Sequence, residues 1–179
     1  MKKIISLFQR NYDGDRLVRD EVVPGAEWVG AGEGFATRKF DGTCCMVSGG
    51  VLYKRHEVKS GKPTPYGFVA AQDPDRVTGD IPGWLETGNG NEDKWHREAF
   101  SGQSDGTYEL CGPKIQRNPE GFEKHTLVRH GCEVVDAPRT FNEIKEWLRD
   151  KDMEGIVWHH PDGRMVKIKK RDFGLKRRD

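Results

Sequence analysis

The chain has 179 residues, of which 34% are hydrophobic and 33% are charged, and its 30 basic and 29 acidic residues leave a net charge of +1. Because disordered chains combine low hydrophobicity with a large net charge, this balance predicts a folded, polar, loop-rich protein with a single domain over residues 1–179. The first apolar run ends at Gln9, too short for an export signal, and no run reaches the roughly 20 residues of a membrane span. We therefore expect a cytoplasmic protein with no membrane association.

Short β-like runs separated by turn residues dominate the chain. Strands are expected at residues 35–40, 44–48, 51–55, 107–111, 132–135, 155–159 and 164–169. Gly49-Gly50 predicts a hairpin between the second and third of these strands. A capping-box pattern predicts a helix over 140–150, and a weaker pattern predicts another over 91–100. The Gly- and Pro-rich stretch 60–106 either is functional or hides further elements. This order predicts an α+β fold with antiparallel sheets and flanking helices.

The C-terminal end, residues 166–179, is basic, with seven basic and two acidic residues. A basic segment on an otherwise mildly acidic chain indicates a polyanionic partner such as a nucleic acid. A solvated tail has the same composition, so charge alone leaves both interpretations open.

The cysteines and histidines carry no metal-site pattern. The four cysteines include no CxxC pair and no histidine partner at zinc spacing, so they are expected to be buried thiols in a reducing compartment. The six histidines lack an HExxH pattern, and the sequence assigns them no chemistry.

The run Lys39-Phe40-Asp41-Gly42 places a lysine at the end of a predicted strand, before a tight turn. A lysine amine is a nucleophile only when it is deprotonated, so such a site must lower its pKa by desolvation or nearby positive charge. The pattern is short and arises often by chance. Its significance depends on the other charged residues of the chain.

Further charged residues follow on predicted strands, in the order Arg55, Glu109, Glu154, Lys167 and Lys169. The two lysines alternate with apolar residues, which places them on one face of a half-buried strand, although a solvated sheet edge has the same pattern. A triphosphate and its metal require cations for the phosphates, one acid for a ribose hydroxyl and one for the metal. The set of residues matches that requirement.

The ordered series resembles the covalent nucleotidyltransferase superfamily of ATP-dependent ligases and mRNA capping enzymes. The runs that carry the resemblance are Lys39-Phe40-Asp41-Gly42, Lys54-Arg55, Tyr108-Glu109-Leu110, Glu154-Gly155-Ile156-Val157 and Val166-Lys167-Ile168-Lys169. The run 109–121, continuing to His125 and His130, is similar to small RNA ligases of phage, viral and bacterial type. The resemblance implies a nucleotidyltransferase core (an adenylation domain, ATP-grasp-like) and an ATP-dependent RNA ligase.

The resemblance also implies a mechanism with a lysyl-AMP intermediate. Lys39 would attack the α-phosphate of ATP, AMP would pass to an RNA 5′-phosphate, and an RNA 3′-hydroxyl would displace it. Arg55 would hold the ribose or a phosphate, and Glu109 would bind a ribose hydroxyl. Asp41 would fix the turn and the position of Lys39.

Three residues near the end of the chain complete the implied site. Glu154 would bind Mg²⁺ or Mn²⁺ or orient Lys39, and Lys167 and Lys169 would hold the α-phosphate. The expected partner is RNA with 5′-phosphate and 3′-hydroxyl ends, and no obligate protein partner is evident. The segment 133–136 lies where a further motif is expected, but it lacks the aromatic residue that stacks on adenine.

Two alternatives stay open at this point. The first is another covalent nucleotidyltransferase, either a DNA ligase or a GTP-dependent capping-like enzyme. Only ten residues follow Lys169, so the OB-fold domain of those enzymes is not expected. The second alternative is a catalytically inert nucleic-acid-binding domain of the same fold.

Overall fold

The secondary structure comes from a computed structural model, in which residues 1–177 are described. The strands, in chain order, are β1 (Ile5–Ser6), β2 (Phe8–Arg10), β3 (Val18–Val22), β4 (Phe35–Lys39), β5 (Thr43–Ser48), β6 (Val51–Val58), β7 (Val69–Ala70), β8 (Ile81–Glu86), β9 (Gly106–Cys111), β10 (Thr126–Arg129), β11 (Val134–Val135), β12 (Gly155–His159) and β13 (Met165–Lys169). The α-helices are α1 (Glu27–Gly30), α2 (Lys94–Ala99) and α3 (Phe141–Arg149). Short 3-10 helices occupy Asn91–Asp93 and Lys170–Phe173.

The chain divides into two compact units. Unit 1 comprises Met1–Lys3 and Asp41–His130, and unit 2 comprises Ile4–Phe40 and the residues from Gly131 onward. The division therefore falls inside the Lys39-Phe40-Asp41-Gly42 run. The prediction of a single domain over residues 1–179 stays a prediction.

Unit 2 is built on a sheet with the strand order β1-β13-β12-β4-β11. Its pairs are antiparallel except β1 and β13, which are parallel. One face of this sheet packs against α3. Ile156, Trp158 and Ile168 on the sheet and Ile144 and Leu148 on the helix are fully buried in the shared core.

Helix α3 confirms the predicted helix over 140–150 to within a residue at each end. The predicted capping box does not form, because the Thr140 hydroxyl donates to the Glu143 carboxylate instead of accepting a backbone N–H. At the other end of α3, the buried Lys170 ammonium donates to the carbonyls of Arg149 and Lys151, both at 2.9 Å. A lysine that satisfies the last carbonyls of a helix also stabilises its dipole.

Unit 1 is built on an antiparallel sheet with the strand order β10-β9-β5-β6-β8-β7. Strands β5 and β6 confirm the predicted hairpin through Gly49-Gly50. The core lies on the face that carries Val47, Leu52 and Leu110, with Ala99 of α2 packed among them. This helix and the preceding 3-10 turn confirm the second predicted helix over 91–100.

The Gly- and Pro-rich stretch 60–106 contains two strands, β7 and β8, that the sequence did not predict. Strand β8 within it pairs with β6 over six residues and with β7 on its other side. Pro82 and Gly83 lower the β-propensity of this run, but Trp84 is buried, and its packing outweighs the local preference.

The architecture confirms the predicted α+β class with antiparallel sheets. Cys45 and Cys111 are buried thiols as expected, and burial raises the pKa of Cys45 well above its ordinary value. Cys44 is half-buried and Cys132 is exposed, so the expectation for the cysteines holds in part. Among residues 1–177, no helix is long and apolar enough to cross a membrane.

Candidate active site

Glu154 lies directly before β12 and connects two lysines on neighbouring strands. Its Oε2 is 2.5 Å from Lys39 Nζ at the end of β4, and its Oε1 is 2.6 Å from Lys169 Nζ at the end of β13. Strand β12 lies between the other two, so a side chain at its entrance can reach both neighbours. These three predicted site residues are brought together by direct ion pairs.

The strand register explains how the sequence assembles this group, which we call the lysine cluster (Lys39, Glu154, Lys167 and Lys169). Gly155 pairs with Lys39 on one side and with Lys169 on the other, and the next row joins Val157 to Lys167. Because side chains alternate along a strand, Lys167 and Lys169 lie on the same face, opposite the core residues of β13. The predicted shared face of the two lysines is confirmed.

Gly155 is required at its position by the close approach of β13. A Cβ atom added there would lie 2.1 Å from the Ile168 carbonyl oxygen, which is a backbone atom that cannot turn aside. The glycine therefore allows the two lysine-bearing strands to pack at their observed separation around Glu154.

The pKa values in the lysine cluster are shifted by burial and by the closely spaced charges of its members. Burial alone would raise the pKa of Glu154, but the charges of Lys39 and Lys169 outweigh it and hold the pKa below its ordinary value. Burial, with the nearby charges of Lys169 and Lys39, lowers the pKa of Lys167 to about 8. Within residues 1–177, Lys167 has no direct ion pair, so its ammonium is the least compensated of the cluster.

The lysine cluster is suited to bind a phosphate group. Its lysines outnumber its single carboxylate, and each lies on a half-buried surface where charge–charge interactions exceed those in water. An anion that approaches Lys167 would interact with an ammonium group that has no direct ion pair within residues 1–177. The site thus combines one candidate nucleophile with cations that favour a phosphoryl ligand.

Glu154 is also the residue to which the sequence assigns Mg²⁺ or Mn²⁺. Carboxylate oxygens are the donors that Mg²⁺ prefers, usually together with waters and phosphate oxygens, so the residue type fits the ion. Both oxygens accept hydrogen bonds from lysines, however. An ion bound at Glu154 would therefore share these oxygens with two ammonium groups, whose positive charges oppose it.

The remaining predicted site residues belong to unit 1, where Glu109 on β9 has two polar contacts. Its Oε1 accepts the Gly42 backbone N–H at 3.2 Å, and its Oε2 lies 2.8 Å from His130 Nε2. A Cβ at Gly42 would lie 2.2 Å from the Leu110 carbonyl oxygen, so only glycine permits this approach of the turn to β9.

Asp41 precedes that glycine in the turn after β4. Its backbone N–H donates to Glu120 Oε1 at 2.7 Å, which connects the turn to the loop after β9. The predicted role of Asp41 in holding Lys39 stays a prediction.

Arg55 and Lys54 point to opposite faces of β6. The Arg55 guanidinium lies 4.9 Å from the centre of the Trp84 ring and donates to the Met1 carbonyl at 2.7 Å. Lys54 Nζ instead lies 2.6 Å from Asp93, whose side chain is almost fully buried and also accepts the Gly88 N–H. Lys54 therefore has a structural partner in the core side of unit 1, whereas Arg55 lies on the same face as Glu109.

The basic C-terminal end is largely integrated into unit 2. Lys170 caps α3, and Arg177 pairs with Asp152 at 3.0 Å. The neighbouring Asp172 is buried and binds Arg10 at 2.6 Å. Arg178, the next basic residue of this end, lies outside the described residues.

The sequence assigns no role to His130, which contacts Glu109, or to the aromatic group on the exposed face of unit 2. There Phe35 stacks on His159 with ring centres 5.1 Å apart, and Thr37 Oγ1 lies 2.9 Å from His159 Nε2. The only sequence signal for His130 is its place at the end of the ligase-like run. The segment 133–136 forms the edge strand β11 beside β4 and contains no aromatic residue.

Comparison with known proteins links this chain to RNA ligases. A family profile described as RNA ligase 1 matches residues 98–179, which include Glu109 and Glu154 but not Lys39. RNA ligase 1 of Danio rerio is 29% identical over 55% of this chain. RNA ligase 1 of Mus musculus is 26% identical, and that of Pongo abelii 23% identical, each over 78% of this chain. The predicted resemblance to RNA ligases is confirmed.

These alignments span 42% of the Danio rerio protein and 67% of the Mus musculus and Pongo abelii proteins. The similarity to RNA ligases extends over most of this chain at low identity.

Proposed function

We propose that this chain is an ATP-dependent RNA ligase with a nucleotidyltransferase core that forms lysyl-AMP on Lys39. The observation that carries the proposal is the lysine cluster. In it, Glu154 holds Lys39 and Lys169 at 2.5 and 2.6 Å, beside Lys167, which has no direct ion pair within residues 1–177. A candidate nucleophile, a hydrogen-bond acceptor for its proton and cations for phosphate are thereby assembled on one sheet face.

The first step transfers AMP from ATP to the enzyme. After Lys39 Nζ loses a proton, with Glu154 Oε2 as the acceptor within reach, its lone pair attacks the α-phosphorus. An N–P bond forms, the P–O bond to the β-phosphate breaks, and pyrophosphate leaves. Lys167 and Lys169 stabilise the charge on the transferred phosphoryl group, which is the main requirement in such reactions.

The same step changes the surroundings of Glu154. Once the Lys39 nitrogen is bonded to phosphorus it no longer carries an ammonium charge, so Oε2 loses its ion pair with Lys39, and the proton that Oε2 accepted passes to solvent water. That oxygen then becomes available as a metal ligand. Mg²⁺ or Mn²⁺, when bound, would supply neutralisation of phosphate charge.

The next two steps transfer AMP to RNA and seal the ends. An oxygen of the RNA 5′-phosphate attacks the phosphorus of AMP, the N–P bond breaks, and Lys39 regains a proton. The RNA 3′-hydroxyl then attacks the 5′-phosphate, and AMP leaves. The printed names of the relatives support RNA as the acceptor, and Arg55 and Glu109 keep the nucleotide-binding roles that the resemblance implies.

The proposal is tested by incubating the chain with ATP or GTP labelled on the α-phosphate, with Mg²⁺ or Mn²⁺. Label from ATP should survive denaturation, be released by acid as expected for a phosphoramidate, and be absent from Lys39→Ala. Lys151→Ala, which changes an exposed lysine of unit 2, should retain the label. Label from GTP alone, or from neither nucleotide, would refute the proposal.

The acceptor is tested with purified, labelled chain and defined RNA. RNA with a 5′-phosphate should take the label, and RNA with a 5′-hydroxyl should not. When the facing 3′-hydroxyl is replaced by hydrogen, adenylylated RNA should accumulate unsealed. Transfer to DNA in preference to RNA of the same sequence would show that the acceptor has been assigned wrongly.

A further inference from the structure

Three side chains of unit 1 bring a sulfur, an oxygen and a nitrogen donor together. Cys44 on β5 and Glu109 on β9 are directly paired in the strand register, so their side chains lie on the same face. His130 follows β10, the strand on the other side of β9. Cys44 Sγ, a Glu109 oxygen and a His130 ring nitrogen all lie within 4.8 Å of one another.

The spacing of this Cys44–Glu109–His130 group is close to that of zinc ligands. Bond lengths of about 2.3 Å to sulfur and about 2.0–2.2 Å to nitrogen and oxygen place tetrahedral ligands roughly 3.4–3.6 Å apart. The 2.8 Å between Glu109 Oε2 and His130 Nε2 would have to increase by about 0.6 Å, and Cys44 Sγ lies within 4.8 Å of both donors.

The supporting contacts and the exposure of the group also suit an ion. Gly42 N–H holds Glu109 Oε1 and leaves Oε2 directed at His130, and such outer contacts orient a ligating carboxylate. Glu109 is 8% exposed, whereas the His130 side chain is 25% exposed and Cys44 is half-buried. Glu109 is thus the anchored donor of the group, and Cys44 and His130 are partly accessible to solvent.

We propose that Cys44, Glu109 and His130 form a binding site for Zn²⁺. A thiolate and an imidazole are poor ligands for Mg²⁺ and favourable ones for borderline ions such as Zn²⁺. The site therefore discriminates against the metal that nucleotidyl transfer requires. Binding converts the Cys44 thiol to a Zn²⁺-bound thiolate and releases one proton.

The site has a consequence for nucleotide binding that rests on the proposed function. Glu109 is the residue proposed to bind a ribose hydroxyl. When Oε2 ligates Zn²⁺ it no longer accepts that hydroxyl, and Oε1 is already held by the Gly42 N–H. Zn²⁺ should thus compete with ATP at Glu109, and Mg²⁺ should not displace the bound Zn²⁺. The chain would bind one divalent ion as an inhibitor and use a different one in the reaction.

Binding is tested by titrating Co²⁺ into the full chain without nucleotide, because tetrahedral Co²⁺ with a thiolate ligand has visible bands and a near-ultraviolet charge-transfer band. We expect one equivalent of Co²⁺ to produce both bands, Zn²⁺ to remove them and Mg²⁺ to leave them unchanged. Cys44→Ser should abolish the charge-transfer band and weaken binding at least tenfold. Cys132→Ser, which removes the exposed cysteine, should change neither.

His130→Gln provides a second variant outside the strands, in case Cys44→Ser fails to fold. It should weaken Co²⁺ binding at least tenfold while preserving the circular dichroism spectrum. A charge-transfer band that persists in Cys44→Ser, disappears in Cys132→Ser or never forms in the folded wild type would overturn the site.

The competition is tested separately, by measuring lysyl-AMP formation against Zn²⁺ concentration at low and high ATP. The concentration of Zn²⁺ for half inhibition should rise with ATP and should be at least tenfold higher in Cys44→Ser. Equal inhibition of both proteins would overturn the competition while the Co²⁺ result stands. Because the Co²⁺ titration uses no nucleotide, its failure would leave the ligase proposal intact.

Discussion

The lysine cluster of unit 2 and the Cys44–Glu109–His130 group of unit 1 each contain one central carboxylate, but the two carboxylates have different neighbours. Glu154 is bound by two ammonium groups with a third lysine nearby. Glu109 is bound by a backbone N–H and an imidazole, next to a thiol. Both lie on the side of a β-sheet opposite its apolar core.

The difference shows how neighbours assign a chemical task to the same side chain. Excess positive charge around Glu154 suits its surroundings to a phosphate group, and the negative charge of Glu154 holds Lys39 and Lys169 in place. Glu109 contacts a backbone N–H and an imidazole instead of two lysines, which suits its carboxylate to the proposed roles of binding a hydroxyl group or a borderline metal ion. We therefore expect changes at Glu154 to abolish chemistry and changes at Glu109 to weaken binding.

The largest effect is expected for Glu154→Ala. Its removal leaves Lys39 and Lys169 without their shared counter-ion and takes away the acceptor for the Lys39 proton, so lysyl-AMP formation should fall by about 100-fold or more. The rate is measured in a single turnover with labelled ATP. Glu146→Ala, a change at an exposed glutamate of α3, should retain the wild-type rate, and a similar loss in both variants would contradict a special role for Glu154.

Gly155→Ala should destabilise the chain by about 1–3 kcal/mol, because the added Cβ collides with the Ile168 carbonyl and forces β12 and β13 apart. Gly30→Ala is a suitable control in the same unit, since no atom lies within 4 Å of its added Cβ. Urea unfolding of both variants measures the effect. Equal midpoints for the two would show that the strands can adjust without cost.

Glu109→Gln should raise the KM for ATP in lysyl-AMP formation about tenfold, the loss of roughly 1.5 kcal/mol for one charged hydrogen bond. The rate at saturating ATP should be little changed, in contrast to Glu154→Ala. Glu98→Gln is the matched control, because Glu98 also contacts a histidine, with 2.9 Å between its Oε1 and His125 Nδ1. If Glu109→Gln abolished the reaction at every ATP concentration, the distinction between the two carboxylates would fail.

The smallest effect concerns pH. The pKa of Lys167 is lowered to about 8, so its ammonium is present below that pH and is lost as the pH rises through it. Affinity for pyrophosphate should therefore fall about fivefold, or ~1 kcal/mol, as the pH rises past 8. Calorimetry across this range should show a flatter profile for Lys167→Arg, whose guanidinium stays charged. Parallel profiles would assign the change to the ligand's own titration.

The sequence was sufficient to predict the elements whose pattern is local. Strand β12 matches the predicted run 155–159, and α3 lies within the predicted 140–150, because a run of β-prone residues and helical periodicity are both set by neighbouring residues. Strand β8 was missed because Pro82 and Gly83 contradict the pattern, and only pairing with β6 compensates for them.

For the site, too, the sequence indicated the residues that lie in local motifs but not the contacts that depend on strand pairing. Ordered motifs indicated Lys39, Glu154, Lys167 and Lys169, and the strand register places them on neighbouring strands. The contact of His130 with Glu109 depends on how β10 pairs with β9, which no local pattern reports. A contact of this kind, between residues far apart in the sequence, becomes visible only when the strand pairing is known.

The two contacts of Glu109 also bear on how the chain folds. Gly42 stands at the start of the 41–130 segment of unit 1 and His130 at its end, and both contact this one carboxylate. Folding of that segment brings its two ends together, so the pairing of β4 with β12 no longer has to close a loop of more than a hundred residues. In kinetic terms, the topology favours early folding of the inserted segment, which shortens the entropic search for the strands that carry Lys39 and Lys169.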